Sequence, residues 1–173
     1  MNKALFLDRD GVINVEMDYL FKIEDFQFID GIFELCKYYQ NLGYLIIVIT
    51  NQSGIARDYY TEKDFSLLTL WMLEEFHKHA IDIKKVYYCP HHPEISGDCM
   101  CRKPHAGMLL DAQKEFNIDL KNSVLVGDKE RDIEAGLNAG LQETYLFDES
   151  KSVTVSRATK IVSSLNDIWK KKC

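Results

Sequence analysis

The chain reads as an α/β protein, with a Rossmann-like parallel sheet covered by helices on both faces and no large cap domain. Three observations predict this. Short apolar runs at residues 4–7, 44–49, 83–88, 124–126 and 144–147 have the length and continuity of strands buried on both sides. Segments with helical spacing alternate with these runs, as βαβ crossovers require. Carboxylates, hydroxyls and amides cluster directly after the runs, where open α/β sheets place their ligand crevice.

The elements follow in order. The first run ends in Asp8, Asp10 and Gly11. Residues 32–42 have helical spacing with Gly43 as a stop, and feed the strand YLIIVI at 44–49. Residues 61–64 (TEKD) resemble a capping box that opens a long amphipathic helix reaching about residue 80. A strand at 83–88, a helix at 107–116, a strand at 124–126, a helix at 130–138 and a strand at 144–147 come next. Pro104 suits the first turn of the helix that follows it, which would set Lys103 near a helix N-terminus. A last helix is expected from residue 165 to about Lys171, capped by Ser164. Residues 148–156 carry the least pattern and read as a mobile loop. No repeat, low-complexity tract or linker interrupts the chain, so residues 1–173 are expected to form one domain.

Composition narrows the function. Lysine and arginine number 21 against 27 aspartates and glutamates, a formal net charge of −6, which speaks against non-specific nucleic-acid binding. The start, MNKALFLDRD, lacks signal-peptide order, and no apolar run is long enough to span a bilayer. A cytoplasmic monomer is the expectation. Three of the five cysteines (Cys36, Cys89, Cys99, Cys101, Cys173) crowd into one short segment, which favours metal binding over a disulfide framework.

The strand ends carry the chemistry. Asp8 and Asp10 lie two residues apart, so both can face one crevice. Like charges at that distance resist joint ionisation unless a cation lies between them or one stays protonated. A carboxylate beside a hard cation can attack phosphorus, and a protonated neighbour can supply the leaving group's proton. Thr50, followed by Asn51, Gln52 and Ser53, can donate to an oxyanion, although a Thr-Asn turn alone would be unremarkable. Asp128 ends another strand and can join Asp8 around Mg²⁺. Asp132, one helical turn on, either steadies that site or complements a helix dipole. Lys103 can neutralise a transferring phosphoryl group. Cys89, His91, Cys99 and Cys101 match a closed tetrahedral Cys₃His zinc site. With no open position for water, that site is read as structural, stapling the loop 92–98. His92 is a competing ligand to His91.

These parts resemble the haloacid dehalogenase superfamily of phosphotransferases. The matching segments are DRDG at 8–11, VITNQSG ending at Gly54, RKP at 102–104 and GDKERD ending at Asp132. Within it the chain is similar to the D-glycero-D-manno-heptose 1,7-bisphosphate phosphatases, through LFLDRDGVIN, FIDGIFEL, VITNQSGIAR, the YYTEKDF region, YYCPHHPE, the C-x-C running into RKP, GMLLDA and VGDKERD. The histidinol phosphatase domains are close relatives that share the zinc loop.

The resemblance implies a two-step hydrolysis of the C7 phosphate in nucleotide-activated heptose synthesis, whether for lipopolysaccharide or for GDP-linked heptoses. Asp8 would be the nucleophile and Asp10 the acid and base. Mg²⁺ would sit on Asp8, the Asp10 backbone carbonyl and Asp128, with Thr50 and Lys103 on the phosphoryl oxygens. It assigns Arg102 and Lys129 to the far end of the substrate, and sugar contacts to Glu16, Met17, Asp18, Tyr19, Asn51, Gln52 and Ser53. The loop between His91 and Cys99 is shorter than in many relatives, and the segment after Gly140 matches no named pattern. Histidinol-phosphate hydrolysis and a catalytically inactive zinc-stapled binding module are the alternatives.

Overall fold

A computed structural model describes residues 1–170. Six parallel strands form one sheet: β1 (Lys3–Leu7), β2 (Tyr44–Asn51), β3 (Ile83–Cys89), β4 (Val124–Gly127), β5 (Glu143–Phe147) and β6 (Lys160–Val162), in the spatial order β3-β2-β1-β4-β5-β6. The helices are α1 (Ile32–Asn41), α2 (Glu62–Lys78), α3 (Pro93–Ser96), α4 (Gly107–Phe116), α5 (Glu130–Ala139) and α6 (Asn166–Trp169).

The sheet has its apolar continuity because both faces are covered. Leu5 and Leu7 of β1 point into one core with Ile46, Val48, Val124 and Val126, closed by α1, α2 and α6. Ala4 and Phe6 point into the other with Ile47, Ile49 and Leu125, closed by α4 and α5. All four residues of β1 from Ala4 to Leu7 are fully buried. The first core is rich in rings: Phe28 meets Phe26, Phe33, Trp71 and Phe76 at centroid distances of 4.8, 4.8, 5.8 and 5.8 Å, within the range of favourable aromatic pairs.

Strand β1 pairs β2 on one side and β4 on the other, with Leu5 between Ile46 and Val124. The chain therefore reverses its direction of winding at β1 and β4. Their carboxyl ends form the topological switch point, where such sheets bind ligands. The expected capping box opens α2: Thr61 Oγ1 accepts from Asp64 N at 3.1 Å, and Asp64 Oδ2 accepts from Thr61 N at 2.8 Å.

Three elements differ from expectation. Helix α4 starts at Gly107, so Pro104 lies in the preceding turn, outside the first helical turn. The Lys103–Pro104 peptide is cis. Strand β6 extends the sheet beyond β5; its three residues, only one of them buried, carry too little pattern to read as a strand. Helix α6 is a single turn, Asn166–Trp169, whose Asn166 N–H donates to Ser164 Oγ at 3.3 Å. The expected helix end at Lys171 lies outside the described residues. No helix among the described residues is long and apolar enough to cross a membrane.

Candidate active site

The carboxyl ends of β1, β2 and β4 converge on one buried lysine. Lys103 is 2% exposed. Its Nζ lies 2.9 Å from Asp8 Oδ1 and 2.8 Å from Asp132 Oδ1, and donates to the Ile49 carbonyl at 3.0 Å. Its backbone is gripped by Asn51, whose Oδ1 accepts from Lys103 N at 3.0 Å and whose Nδ2 donates to Lys103 O at 3.2 Å. The lysine is thus set by side-chain and strand-end contacts. The expected placement at a helix N-terminus does not hold, because α4 begins four residues later.

Burial and charge define the titration of this group. Burial raises the Asp8 carboxyl well above its ordinary value; the charges of Asp132 and Asp128 push the same way and Lys103 opposes them. Burial disfavours ionised Asp132 too, but Lys103 and the Lys129 backbone N–H outweigh it and hold the carboxyl below its ordinary value. Burial likewise disfavours the Lys103 ammonium, and Asp132 and Asp8 reverse that. Asp132 also ties down the first turn of α5, its Oδ2 accepting from Asp128 N at 3.2 Å and Lys129 N at 3.0 Å. Asp132 thus pairs with Lys103 and bonds the N-terminal turn of α5 at once.

Asp128 stands at the end of β4 against Gly11. Gly11 has φ +85°, and a Cβ there would fall 2.3 Å from Asp128 Oδ2. Asp8, Asp128 and Asp132 present carboxylate oxygens within 4.8 Å of one another, and burial raises Asp128 in turn. Asp128 Oδ1 is buried with no hydrogen-bond partner. Three carboxylates around one buried ammonium, with an orphaned oxygen, fit a hard cation such as Mg²⁺.

Asp10 faces the same crevice in a different environment. Its Oδ1 accepts from Arg9 Nε and Nη2 at 3.1 and 2.8 Å and from Asn14 Nδ2 at 3.1 Å, and its Oδ2 from Gln52 Nε2 at 3.0 Å. Gln52 is the junction: Nε2 also reaches Thr50 Oγ1 at 2.8 Å, and Oε1 accepts from the Tyr60 hydroxyl. Tyr60 can come this close because residue 54 is glycine; a Cβ there would strike its ring at 2.2 Å.

Above these groups opens a cleft of about 390 Å³. Of the sequence-expected residues, Asp8, Asp10, Glu16, Asp18, Tyr19, Asn51, Gln52, Ser53, Arg102 and Lys129 line it. Thr50 and Lys103 lie buried beneath, and Met17 faces solvent at 44% exposure. Lys129 Nζ is drawn 2.9 Å from Asp128 Oδ2, and Arg102 Nη1 donates to the His91 carbonyl at 3.1 Å. Partial burial and the charges of Asp10 and Asp128 raise the Glu16 carboxyl to about 6. Arg57, Tyr60 and Arg131, which the sequence reading gave no role, also line the cleft, as does His92, expected only as a competing metal ligand. Arg57 and Tyr60 follow the Thr50–Gly54 turn closely and fall in the VITNQSGIAR and YYTEKDF segments that carry the resemblance.

One wall is the loop after β3. Cys89, His91, Cys99 and Cys101 bring four ligand atoms within 4.8 Å of one another. Cys89 Sγ lies 3.5 Å from Cys99 Sγ and 3.0 Å from Cys101 Sγ, and His91 Nδ1 lies 3.4 Å from Cys101 Sγ. Burial lifts the Cys89 thiol, whereas at Cys99 hydrogen bonds from Cys101 and Cys89 overcome burial and bring it down to about 7. The cluster can hold a metal ion, and the donor set suits a soft or borderline one. His92 is not a fifth candidate, since its Nε2 faces Arg57 Nη2 at 2.8 Å.

This fold, with an Asp-x-Asp crevice over a buried lysine and an acidic cluster, defines a haloacid dehalogenase-like hydrolase, and residues 100–168 match the HAD-hydrolase-like family pattern. The chain is 56% identical over 149 residues to the D-glycero-α-D-manno-heptose-1,7-bisphosphate 7-phosphatase of Campylobacter jejuni, covering 86% of this chain and 84% of that protein. It is 46% identical over 158 residues to the β-anomer 7-phosphatase of Haemophilus influenzae, covering 89% and 86%. The crystal structure of D,D-heptose 1,7-bisphosphate phosphatase from B. bronchiseptica, complexed with magnesium and phosphate, superposes with a TM-score of 0.84 at 25% identity, covering 96% of this chain and 95% of that one. The chain belongs to the D-glycero-D-manno-heptose-1,7-bisphosphate 7-phosphatase family.

The contact between Gly11 and Asp128 is a direct constraint on the acidic cluster. Gly11→Ala is expected to cost about 1–3 kcal/mol of stability in urea unfolding, from left-handed backbone strain, and to weaken Mg²⁺ binding in calorimetry. Unchanged stability and unchanged affinity would show that the cluster tolerates displacement of Asp128.

Proposed function

We infer that the chain is a Mg²⁺-dependent phosphatase that removes the C7 phosphate of D-glycero-D-manno-heptose 1,7-bisphosphate. The observation that carries this reading is the buried Lys103 between Asp8 and Asp132, beneath a cleft that also holds Asp10. An Asp8 oxygen attacks phosphorus in line, the bond to the sugar oxygen breaks, and an aspartyl-phosphate forms. Asp10 gives a proton to the departing sugar oxygen. It then takes one from the water that attacks the aspartyl-phosphate, releasing phosphate and restoring Asp8. Its tethering by Arg9, Asn14 and Gln52 fixes the carboxylate toward the cleft. Lys103 and the Thr50 hydroxyl hold the equatorial oxygens. A Mg²⁺ held by Asp8, Asp128 and the Asp10 carbonyl would supply charge neutralisation. Arg102 and Lys129 meet the second phosphate, and Glu16 to Tyr19 with Asn51 to Ser53 surround the sugar. The hydrogen bonds of Asn51 and Gln52 to Lys103, Thr50 and Asp10 support a further task for both, as braces of the reacting groups.

Two measurements test this reading. The wild-type enzyme should show a higher kcat/KM on the heptose bisphosphate than on histidinol phosphate, whose cationic groups would meet Arg102 and Lys129. Asp8→Asn should remove turnover while circular dichroism stays native. Preference for histidinol phosphate would overturn the substrate. Turnover in Asp8→Asn would overturn the nucleophile, and failure of the wild type to hydrolyse any sugar phosphate with Mg²⁺ would favour a binding module.

The Cys₃His cluster is read as a structural zinc site. Purified protein should contain about one zinc per chain, and Cys101→Ser should lower both zinc content and activity. Cys101 lies two residues before Lys103 in the sequence, and a shift of about 1 Å in a catalytic group can cost roughly a hundredfold in rate. Added Mg²⁺ should not restore the variant. Full activity in zinc-free Cys101→Ser would disconnect the cluster from Lys103.

A further inference from the structure

Two cations of the cleft, Arg57 and Arg131, are left without a task by the assignments above; Arg131 is exposed, whereas Arg57 is half-buried. It follows the Thr50–Gly54 turn, and its backbone N–H donates to the Ser53 carbonyl at 3.1 Å. Its guanidinium lines the cleft together with Asp8 and Asp10. Nη2 lies 2.8 Å from His92 Nε2, and the group lies 5.9 Å from the centroid of the Tyr19 ring. Neither neighbour carries a carboxylate. Among the described residues no carboxylate pairs with Arg57, and its Nε is buried with no hydrogen-bond partner. A guanidinium keeps its charge at any accessible pH. Partly desolvated and without a counter-ion, it retains attraction that the folded chain does not use.

The two cations already assigned to the second phosphate differ. Lys129 is already paired with Asp128, and Arg102 donates to the His91 carbonyl. The tether to His92 also keeps Arg57 from swinging into solvent, so little side-chain freedom remains to be lost when an anion arrives.

We propose that Arg57 is a specificity-determining residue that binds the non-reacting phosphate of the substrate, held in position by His92 of the metal-binding loop. The proposal rests on the bisphosphatase reading above. It gives the loop after β3 a role in recognition: His92, next to the ligand His91, sets the reach of a cation on the opposite side of the cleft.

The test compares kcat/KM for heptose 1,7-bisphosphate with that for the 7-monophosphate, which lacks the second anion. In the wild type the ratio favours the bisphosphate. Arg57→Gln should lower that ratio by about ten- to a hundredfold, the range for loss of a hydrogen bond to a charged group, with the loss mainly in KM. Arg57→Lys keeps the charge but cannot hold His92 and an anion together, so its ratio should fall by a smaller factor. It serves as the readout if Arg57→Gln does not fold. An unchanged ratio in either folded variant, with both substrates slowed alike, would make Arg57 a structural tie between loops and overturn the proposal. A wild type that shows no preference for the bisphosphate would overturn the functional reading itself, and this proposal with it.

Discussion

A lysine ammonium sealed between two aspartates is the constraint on which the site depends. Taking Lys103, Asp8 and Asp132 out of water costs several kcal/mol per ion, and only close, well-formed contacts offset it. Each contact comes from a different element. Asp8 hangs from the end of β1, the Ile49 carbonyl belongs to β2, and Asp132 rises from the first turn of α5. Asn51 at the end of β2 clamps the lysine backbone from both sides. The arrangement can form only when the sheet has its order with β1 central. The same charges raise Asp8 and lower Asp132, so two aspartates of one cluster are driven apart in acidity, a common way to divide tasks between like groups.

The topology places a second set of groups around this centre. Strand β3 runs directly into the Cys/His cluster, and the chain leaves the cluster through Arg102 and Lys103 before α4 begins. One loop therefore carries the candidate staple, a cleft arginine and the buried lysine within a few residues. Opposite it, the turn after β2 supplies Gln52, which joins Thr50, Asp10 and Tyr60 in one hydrogen-bonded unit. Among the described residues no cap domain covers the sheet, and these two loops, with residues 16–20, wall the cleft.

Much of this was legible in the sequence. Apolar runs ending in Asp8, Thr50 and Asp128 located three strand ends, because a strand buried on both faces admits little else. The Thr61 to Asp64 capping box was equally direct, since its bonds are local. The cysteine spacing marked the Cys/His cluster and favoured His91 over His92; His91 stands in that cluster, and His92 faces Arg57. Contacts between distant segments were out of reach. Pro104 suggested a helix start, but the grip of Asn51 on Lys103 holds that segment as a turn. Arg57 closes the VITNQSGIAR segment, but its lack of a carboxylate partner is a property of the folded cleft. Strand β6 is three residues long and depends on β5 for its definition.

The central claim is that Lys103 and Asp132 exist in the fold for each other and for Asp8. A double-mutant cycle in urea unfolding of the metal-free protein tests it most directly. Lys103→Met alone strands two buried carboxylates and should cost about 3–5 kcal/mol. Asp132→Asn alone should also destabilise, and the double variant should be less damaged than the sum of the two by about 0.5–3 kcal/mol. Strict additivity of the two substitutions would show that the buried charges are independent and would contradict this account.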